Sequence, residues 1–455
     1  MLLSFSVENF RSFKAEQTLS LMASKRLGPV EGSPHCYQIP GTGEHALRVA
    51  SLYGANAAGK SNLVRAISLL QRMVLSGTSP SEALPHAPFH LDPATARVPT
   101  SLDVQFAQGG DVFRYGLVFD STRVLEEWLD VYEGTRARGL FARTDREGGA
   151  VVELGPAAGG EDRTEKMVAL ATLGARRNQL FLTGIANLAD PEGQGPRLHR
   201  AVEWFGSALR VMKPGDRSDL LADMIAGNPR FAEFASRLAR EADTGVAWLT
   251  VNTRDVPRSQ TRPGEWVEAP TPGRAALWEG PEGRQFSASP LGADSVRVRE
   301  IEVLHEVVPS LAAGFPLWWE SDGVRRFLHL LPELYRLRST GGVFVIDEFE
   351  RSMHPMLARK FIEFFLKAGQ GTASQLIFTT HETNLLDLDL MRRDGIWFAE
   401  KDNEGATQLY SLADFKVRND LRIEKGYLQG RFGAIPFLGG IDRLIEEQAA
   451  AGAGE

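Results

Sequence analysis

One cysteine, Cys36, stands in a chain of 455 residues. An internal disulfide and a cysteine-built metal cluster are therefore both excluded, and the composition fits a reducing compartment. No uninterrupted apolar run reaches the roughly 18 residues that a membrane-spanning helix needs. The opening Met1–Phe13 (MLLSFSVENFRSF) has polar residues every few positions and no small-residue cleavage site after an apolar core, so no signal peptide is expected. Together these absences predict a soluble, cytoplasmic protein without a membrane partner. An excess of positive charge is also missing: 51 Lys and Arg face 58 Asp and Glu, a formal net charge of -7. That balance argues against a surface built mainly to coat nucleic acid, and leaves a local basic groove open without supporting one. Internal repeats and heptads are absent, which excludes a long coiled-coil arm. Nothing in the chain reads as a nuclease carboxylate cluster.

What is there is ordinary globular material, 43% hydrophobic and 24% charged, enough for two or three domains or for one domain with a large insertion. Leu2 to Phe10 alternates apolar and polar side chains and predicts a strand. Arg48 to Tyr53 (RVASLY) is a short apolar run leading into GANAAGKSN, and Leu63 to Val74 then carries apolar residues at helical spacing, so strand, glycine loop and helix succeed one another. Ser101 to Tyr132 predicts a β-meander turning at Gly109-Gly110-Asp111. Gly148 to Asp162 is expected to be a surface loop, Leu198 to Arg240 helical, and Arg254 to Gln285, dense in Pro, Gly and Arg, irregular. Beyond this stretch a helix (Val324 to Leu337), a buried strand (GGVFVIDE), a helix (Pro355 to Ala368) and another buried strand (QLIFTTHE) alternate. Such alternation means a parallel sheet covered on both faces. The expected organisation is a head split into residues 1–147 and 300–440, an insertion at 148–299, and a tail at 441–455.

Four features carry chemistry. Gly54-Ala55-Asn56-Ala57-Ala58-Gly59-Lys60-Ser61 matches the phosphate-loop pattern in full and lies between a strand and a helix, as that pattern requires. Its backbone N–H groups can surround phosphates, aided by the helix N-terminus; Lys60 reaches the β and γ oxygens, and the Ser61 hydroxyl coordinates Mg²⁺. Val343 to Glu348 is an apolar strand closed by two carboxylates, a Walker B arrangement. Asp347 is placed to hold Mg²⁺ at the carboxyl edge of the sheet, and Glu348 to polarise the attacking water. His381 ends a further apolar strand, 34 residues beyond Asp347, and Ser321-Asp322-Gly323 precedes a helix, with Ser321 26 residues before Asp347. Other conspicuous features have plainer readings: Trp318-Trp319 as core, the pairs Arg176-Arg177 and Arg392-Arg393 as solvated faces, and Met353-His354-Pro355 as a turn into the next helix. Arg325-Arg326, directly behind Gly323, is the pair most suited to an interface.

In their order along the chain, NFRSF (Asn9 to Phe13), GANAAGKSN, ESDGVRR, VFVIDEFERSMHP and TTHETNLLD resemble the compact RecF/SMC-like, ABC-type ATP-binding proteins of the AAA group. The likeness covers roughly residues 1–135 and 300–440, including Tyr427 to Pro436. It implies an α/β P-loop ATPase head with a mostly parallel central sheet, an N-terminal antiparallel β subdomain and a helical insertion. It implies ATP and Mg²⁺ as cofactors, with Gly54, Ala55, Asn56, Ala57, Ala58, Gly59, Lys60, Ser61, Asn62, Arg11 and Ser12 around the nucleotide. Ser61 and Asp347 would hold the metal, Glu348 and Lys60 would serve catalysis, and His381 would be the switch histidine at the γ-phosphate. Ser321 and Gly323 form an altered signature, Ser-Asp-Gly in place of Leu-Ser-Gly-Gly, and Glu350 to His354 the D-loop at a dimer seam. Members resemble ATPase subunits of anti-phage systems of the Septu, PARIS and overcoming-lysogenization-defect types. The expectation is thus an ATPase that forms a homodimer or higher homo-oligomer around ATP and controls a separately encoded nuclease or toxin. The alternative is a RecF-like DNA-binding repair or recombination ATPase, for which ATP-dependent, salt-sensitive retention on duplex DNA would speak.

Overall fold

The computed structural model describes residues 1–79, 81–147, 149–157, 176–186, 196–257, 276–279, 285–291, 294–308, 311–416 and 422–435. They form two compact units: Met1–Val211, Gly342–Phe349 and Ala373–Glu455 make the first, and Met212–Gly341 with Glu350–Thr372 the second.

The first unit holds two large sheets. One is antiparallel and seven-stranded, in the order Gly149–Leu154, Arg136–Arg146, Val124–Glu133, Asp111–Phe119, Thr100–Gln108, Leu2–Glu8, Gln17–Ser20. The other is six-stranded, in the order Leu209–Met212, Gly342–Ile346, Ser374–Thr379, Val49–Tyr53, Ile396–Lys401, Thr407–Ser411. Within it Gly342–Ile346, Ser374–Thr379, Val49–Tyr53 and Ile396–Lys401 run parallel, and Thr407–Ser411 closes the edge antiparallel. The three strands Val49–Tyr53, Gly342–Ile346 and Ser374–Thr379 are buried along their length, as the unbroken apolar runs require. Helix Lys60–Ser76 buries Leu63, Val64, Ala66, Ile67, Leu70, Met73 and Val74, the stripe that its sequence spacing predicts. These residues join one apolar cluster with Phe5, Val7 and Phe106 of the antiparallel sheet and Leu52, Val343 and Val345 of the parallel one.

The α/β class, the mostly parallel sheet and the N-terminal antiparallel sheet agree with the sequence reading; the boundaries of the units fall elsewhere than at 147/148 and 299/300. Gly149–Leu154, read as loop, is an edge strand paired with Arg136–Arg146, its hydrophobic signal being only two valines long. Residues 176–186 and 196–211 belong to the first unit because its core reaches out for them. Glu127, fully buried on Val124–Glu133, accepts hydrogen bonds from Tyr115 Oη (2.9 Å), Phe181 N (2.7 Å) and Leu182 N (3.0 Å). A carboxylate facing the first N–H groups of helix Phe181–Ala186 satisfies donors that the helix itself cannot. Trp204 stacks on Phe106 with centroids 4.3 Å apart. The helical pattern expected through Met212 gives way to strand at Leu209–Met212.

The second unit is not helical alone. Helices Leu221–Gly227, Pro229–Glu241, Asp322–Leu337 and Pro355–Ala368 accompany a five-stranded antiparallel sheet in which Val246–Pro257 pairs with Ser295–Val308. Strand thus replaces the irregular structure expected at Arg254–Pro257, Ala276–Glu279 and Gln285, while 258–275 and 280–284 lie outside the described residues. Phe231, Phe234, Tyr335 and Phe364 pack ring against ring among three of the helices. Trp319, read as core, is 60% exposed and stacks on Phe315. Arg392, read as a solvated face, is instead tied to Asp394 and to the carbonyls of Pro29 and Ser24 within the first unit. Among the described residues no helix is long and apolar enough to cross a membrane.

Candidate nucleotide site

Three parallel strands deliver their carboxyl ends side by side. Val49–Tyr53 runs into Gly54, Gly342–Ile346 into Asp347, and Ser374–Thr379, lying between them, into Thr380 and His381. Ligands of open α/β sheets bind at this edge, and here the phosphate loop, the Asp347–Glu348 pair and His381 converge on it.

The phosphate loop is held open by packing from behind. Gly59 has φ 110°, and a Cβ there would lie 2.1 Å from Thr407 Oγ1 and 2.8 Å from Ser12 Oγ, so no larger residue fits. Thr407 Oγ1 donates to Ala58 O (2.8 Å) and meets Ser12 Oγ at 2.9 Å, and Thr407 N donates to Ser12 O (2.7 Å). Asn62 Nδ2 donates to Ser12 Oγ (2.8 Å), and Asn62 Oδ1 accepts from Arg65 (2.9 Å). Ser12 and Asn62 are thus engaged as supports behind the loop. Arg11 is exposed, with a left-handed backbone (φ 54°), and its guanidinium lies 5.7 Å from the centroid of the Phe10 ring. Partial burial, and secondarily the charge of Arg65, lower its pKa.

Inside the loop Lys60 is buried, its Nζ donating to the carbonyls of Gly54 (2.8 Å) and Ala55 (3.1 Å). Ser61 Oγ donates to Asp347 Oδ1 at 3.0 Å, although 286 residues separate them. Asp347 is 1% exposed, and the same oxygen accepts from Thr379 Oγ1 at 2.6 Å. Thr379 Oγ1 in turn accepts from Glu348 N (2.8 Å), and Phe349 N donates to Thr379 O (3.0 Å). Those two bonds hold Glu348 at φ 49°, a left-handed conformation that costs a non-glycine residue about 1 kcal/mol and turns its side chain out of the strand alternation. His381 is exposed at the end of the middle strand.

Thr379 is the residue that sequence reading missed. Its signal was the polar end of QLIFTTHE, but only the strand order puts that end between the two motifs. Thr379→Val, which keeps the shape and removes the hydroxyl, leaves the buried Asp347 and the Glu348 N–H each short of a partner. It is expected to destabilise the fold by about 1–3 kcal/mol. Turnover should fall more than ATP affinity, with Thr379→Ser restoring both. Urea unfolding and steady-state ATPase assays check this, and a Val variant with unchanged turnover would show that Thr379 positions nothing.

The donor set fits a hard divalent cation. Ser61 and Asp347 present two oxygens at one point beside the loop, the usual protein share of a Mg²⁺ ion whose other ligands are phosphate oxygens and water. Among the described residues no group of three or more His, Cys, Asp or Glu side chains forms an all-protein cage.

Ser321 and Gly323 lie in the second unit. Ser321 is the N-cap of helix Asp322–Leu337, its Oγ accepting from Val324 N at 3.3 Å. Gly323 permits a close approach: a Cβ there would stand 2.3 Å from the carbonyl oxygen of Ser352, in the turn before helix Pro355–Ala368. The segments Ser321–Gly323 and Glu350–His354, expected to be signature and D-loop, therefore pack against each other.

No curated protein matches the chain. Among solved structures it is similar to the SMC head domain from Thermotoga maritima (12% identity, TM-score 0.37, covering 90% of this chain and 98% of that one). It is also similar to an Smc head with an extended coiled coil bound to the C-terminal domain of ScpA, derived from Pyrococcus furiosus (10% identity, TM-score 0.38, covering 94% and 98%). The family described as "AAA domain, putative AbiEii toxin, Type IV TA system" matches residues 49–178 and 197–387, more than half of the chain and with it the phosphate loop, Ser321, Asp347 and His381. The chain belongs to that AAA family.

Proposed function

We propose that this protein is a Mg²⁺-dependent ATPase that closes as a homodimer or higher homo-oligomer around ATP and thereby controls a separately encoded nuclease or toxin in anti-phage defence. The observation that carries the ATPase reading is the Ser61–Asp347–Thr379–Glu348 chain of hydrogen bonds at the carboxyl edge of the sheet, beside the buried Lys60. Lys60 neutralises the β and γ oxygens, backbone N–H groups from Gly54 to Ser61 surround the phosphates, and Ser61 and Asp347 hold the metal. When bound, Mg²⁺ supplies charge neutralisation at the phosphates. Glu348 orients the attacking water and accepts its proton, and His381 contacts the γ-phosphate. The family's description names a putative toxin of a Type IV TA system; the separate effector in this reading comes from the resemblance of GANAAGKSN, VFVIDEFERSMHP and TTHETNLLD to ATPase subunits of anti-phage systems.

The dimer part has a sharp test. If Ser321 and Gly323 of one copy reach the nucleotide held by Lys60 of another, Lys60→Ala and Ser321→Arg homodimers are each inactive, since both of their sites carry a defect. In a mixed dimer one site carries both lesions and the other none. Co-expression of differently tagged chains and tandem purification are expected to recover about half the wild-type ATPase rate if the two sites act independently, and less if they are coupled. Verified mixed dimers without activity, alongside active wild-type/variant dimers, would sink the shared-site arrangement.

A further inference from the structure

Within the second unit, one face of helix Asp322–Leu337 carries Asp322, Arg325, Arg326 and His329 at spacings of three and four residues. Together with the turn at Gly215–Arg217 and with Arg351, this face lines a polar pocket of about 190 Å³, enough for a tetrahedral oxyanion together with water. Four guanidiniums, those of Arg217, Arg325, Arg326 and Arg351, gather there against two carboxylates. Asp322 pairs with Arg325, one of these four, and Asp216 accepts from the backbone N of Lys213 (2.8 Å).

The decisive group is His329. It is 6% exposed, and its Nδ1 accepts a hydrogen bond from Ser218 N at 3.2 Å. Burial, with the charges of Arg217, Arg326 and Arg325 adding to it, pushes the imidazolium down to about 3. At neutral pH the ring is therefore uncharged and has one hydrogen. With Nδ1 occupied as an acceptor, that hydrogen sits on Nε2. His329 Nε2 is buried and finds no hydrogen-bond partner among the described residues, and the same is true of Arg325 Nε. A buried N–H without an acceptor costs about as much as a lost hydrogen bond and is rare in a folded protein. Two of them stand on side chains that line one pocket, among four arginines, an arrangement suited to an acceptor with negative charge.

We propose that this pocket binds a phosphoryl oxyanion, with the His329 Nε2–H and the guanidiniums of Arg217, Arg325 and Arg351 as donors. Guanidinium forks match the oxygens of a phosphate, and a neutral imidazole N–H adds a directional donor without a charge that would have to be buried in the empty pocket. Free inorganic phosphate and the terminal phosphate of a nucleotide share this chemistry. No phosphate-loop residue lines the pocket, so oxyanion binding here does not need Lys60, whereas Asp322 and Arg351, which do line it, stand in the segments that the proposed function gives to the dimer seam.

The test uses full-length protein labelled with ¹⁵N-histidine. In the first arm Lys60→Ala, in which the phosphate loop is disabled, is titrated with inorganic phosphate at neutral pH and constant ionic strength, with chloride as the control. In the second arm wild-type protein receives Mg²⁺ and ATP. The His329 Nε2–H resonance is expected to move saturably with phosphate and not with chloride, or with Mg-ATP if the occupant is the phosphate of a nucleotide. The Arg217→Ala/Arg351→Ala variant, both of whose changes lie outside the buried core, should weaken that response about tenfold or more. A resonance unmoved in both arms, or moved equally in the double variant, overturns the proposal. Loss of ATP turnover in Lys60→Ala with the phosphate response intact would separate this site from the phosphate loop.

Discussion

Replacing Lys60 by alanine is expected to lower ATP turnover by about 100-fold or more, the usual loss when one donor to a developing oxyanion is removed from a preorganised site. The ammonium is buried against the carbonyls of Gly54 and Ala55, and no other side chain from Gly54 to Ser61 is a cation. Alanine is the best helix former and stands here at the first position of helix Lys60–Ser76, so the loss should not come from unfolding. Calorimetric titration with Mg-ATP and a thermal melt make the distinction. The expected result is a melting temperature close to wild type together with ATP binding too weak to measure. Turnover within a few-fold of wild type would remove the phosphate loop from the mechanism.

Glu348→Gln is expected to act in the opposite sense on binding. The Glu348 N–H still meets Thr379 Oγ1, and Ser61 and Asp347 are untouched, so nucleotide and metal should bind as before. The amide cannot accept the proton of the attacking water, and loss of a general base typically costs about 10²–10⁴-fold in rate. With hydrolysis blocked, the ATP-bound assembly should accumulate, visible as a shift to higher mass in light scattering on adding Mg-ATP and absent with ADP. Because position 348 is left-handed, Glu348→Gly is a useful companion. It removes the carboxylate while relieving the backbone, and should be as inactive as the Gln variant yet no less stable. A Gln variant that hydrolyses ATP at the wild-type rate would assign the base elsewhere.

Local signals were legible in the sequence and long-range ones were not. GANAAGKS, VFVIDE and QLIFTTHE each declare a buried strand or the loop at its end, because apolar continuity and glycine placement are properties of a few adjacent residues. The strand Gly149–Leu154 and the second unit's strand Val246–Pro257 escaped, since both lie near Gly- and Pro-rich sequence and carry little alternation to read. Residues 176–186 and 196–211 sounded like part of an insertion by composition. They are claimed for the first unit by pairings at long range: Glu127 with the first N–H groups of Phe181–Ala186, and Trp204 on Phe106.

The sequence by itself determined the phosphate loop, the Asp347–Glu348 pair, the parallel α/β sheet and the family to which these belong, because strand burial and loop chemistry are written in contiguous residues. Only the tertiary structure decided that Thr379 ties Asp347 to the backbone of Glu348, that Ser12 and Thr407 support Gly59 from behind, and that His329, its Nδ1 accepting from Ser218 N, lines one pocket with four arginines. Those relations depend on strand order and on helix faces meeting distant turns. A hydroxyl at a strand end or a histidine on a helix has no meaning until a partner hundreds of residues away, or on another element, supplies or withholds the other half of its hydrogen bond.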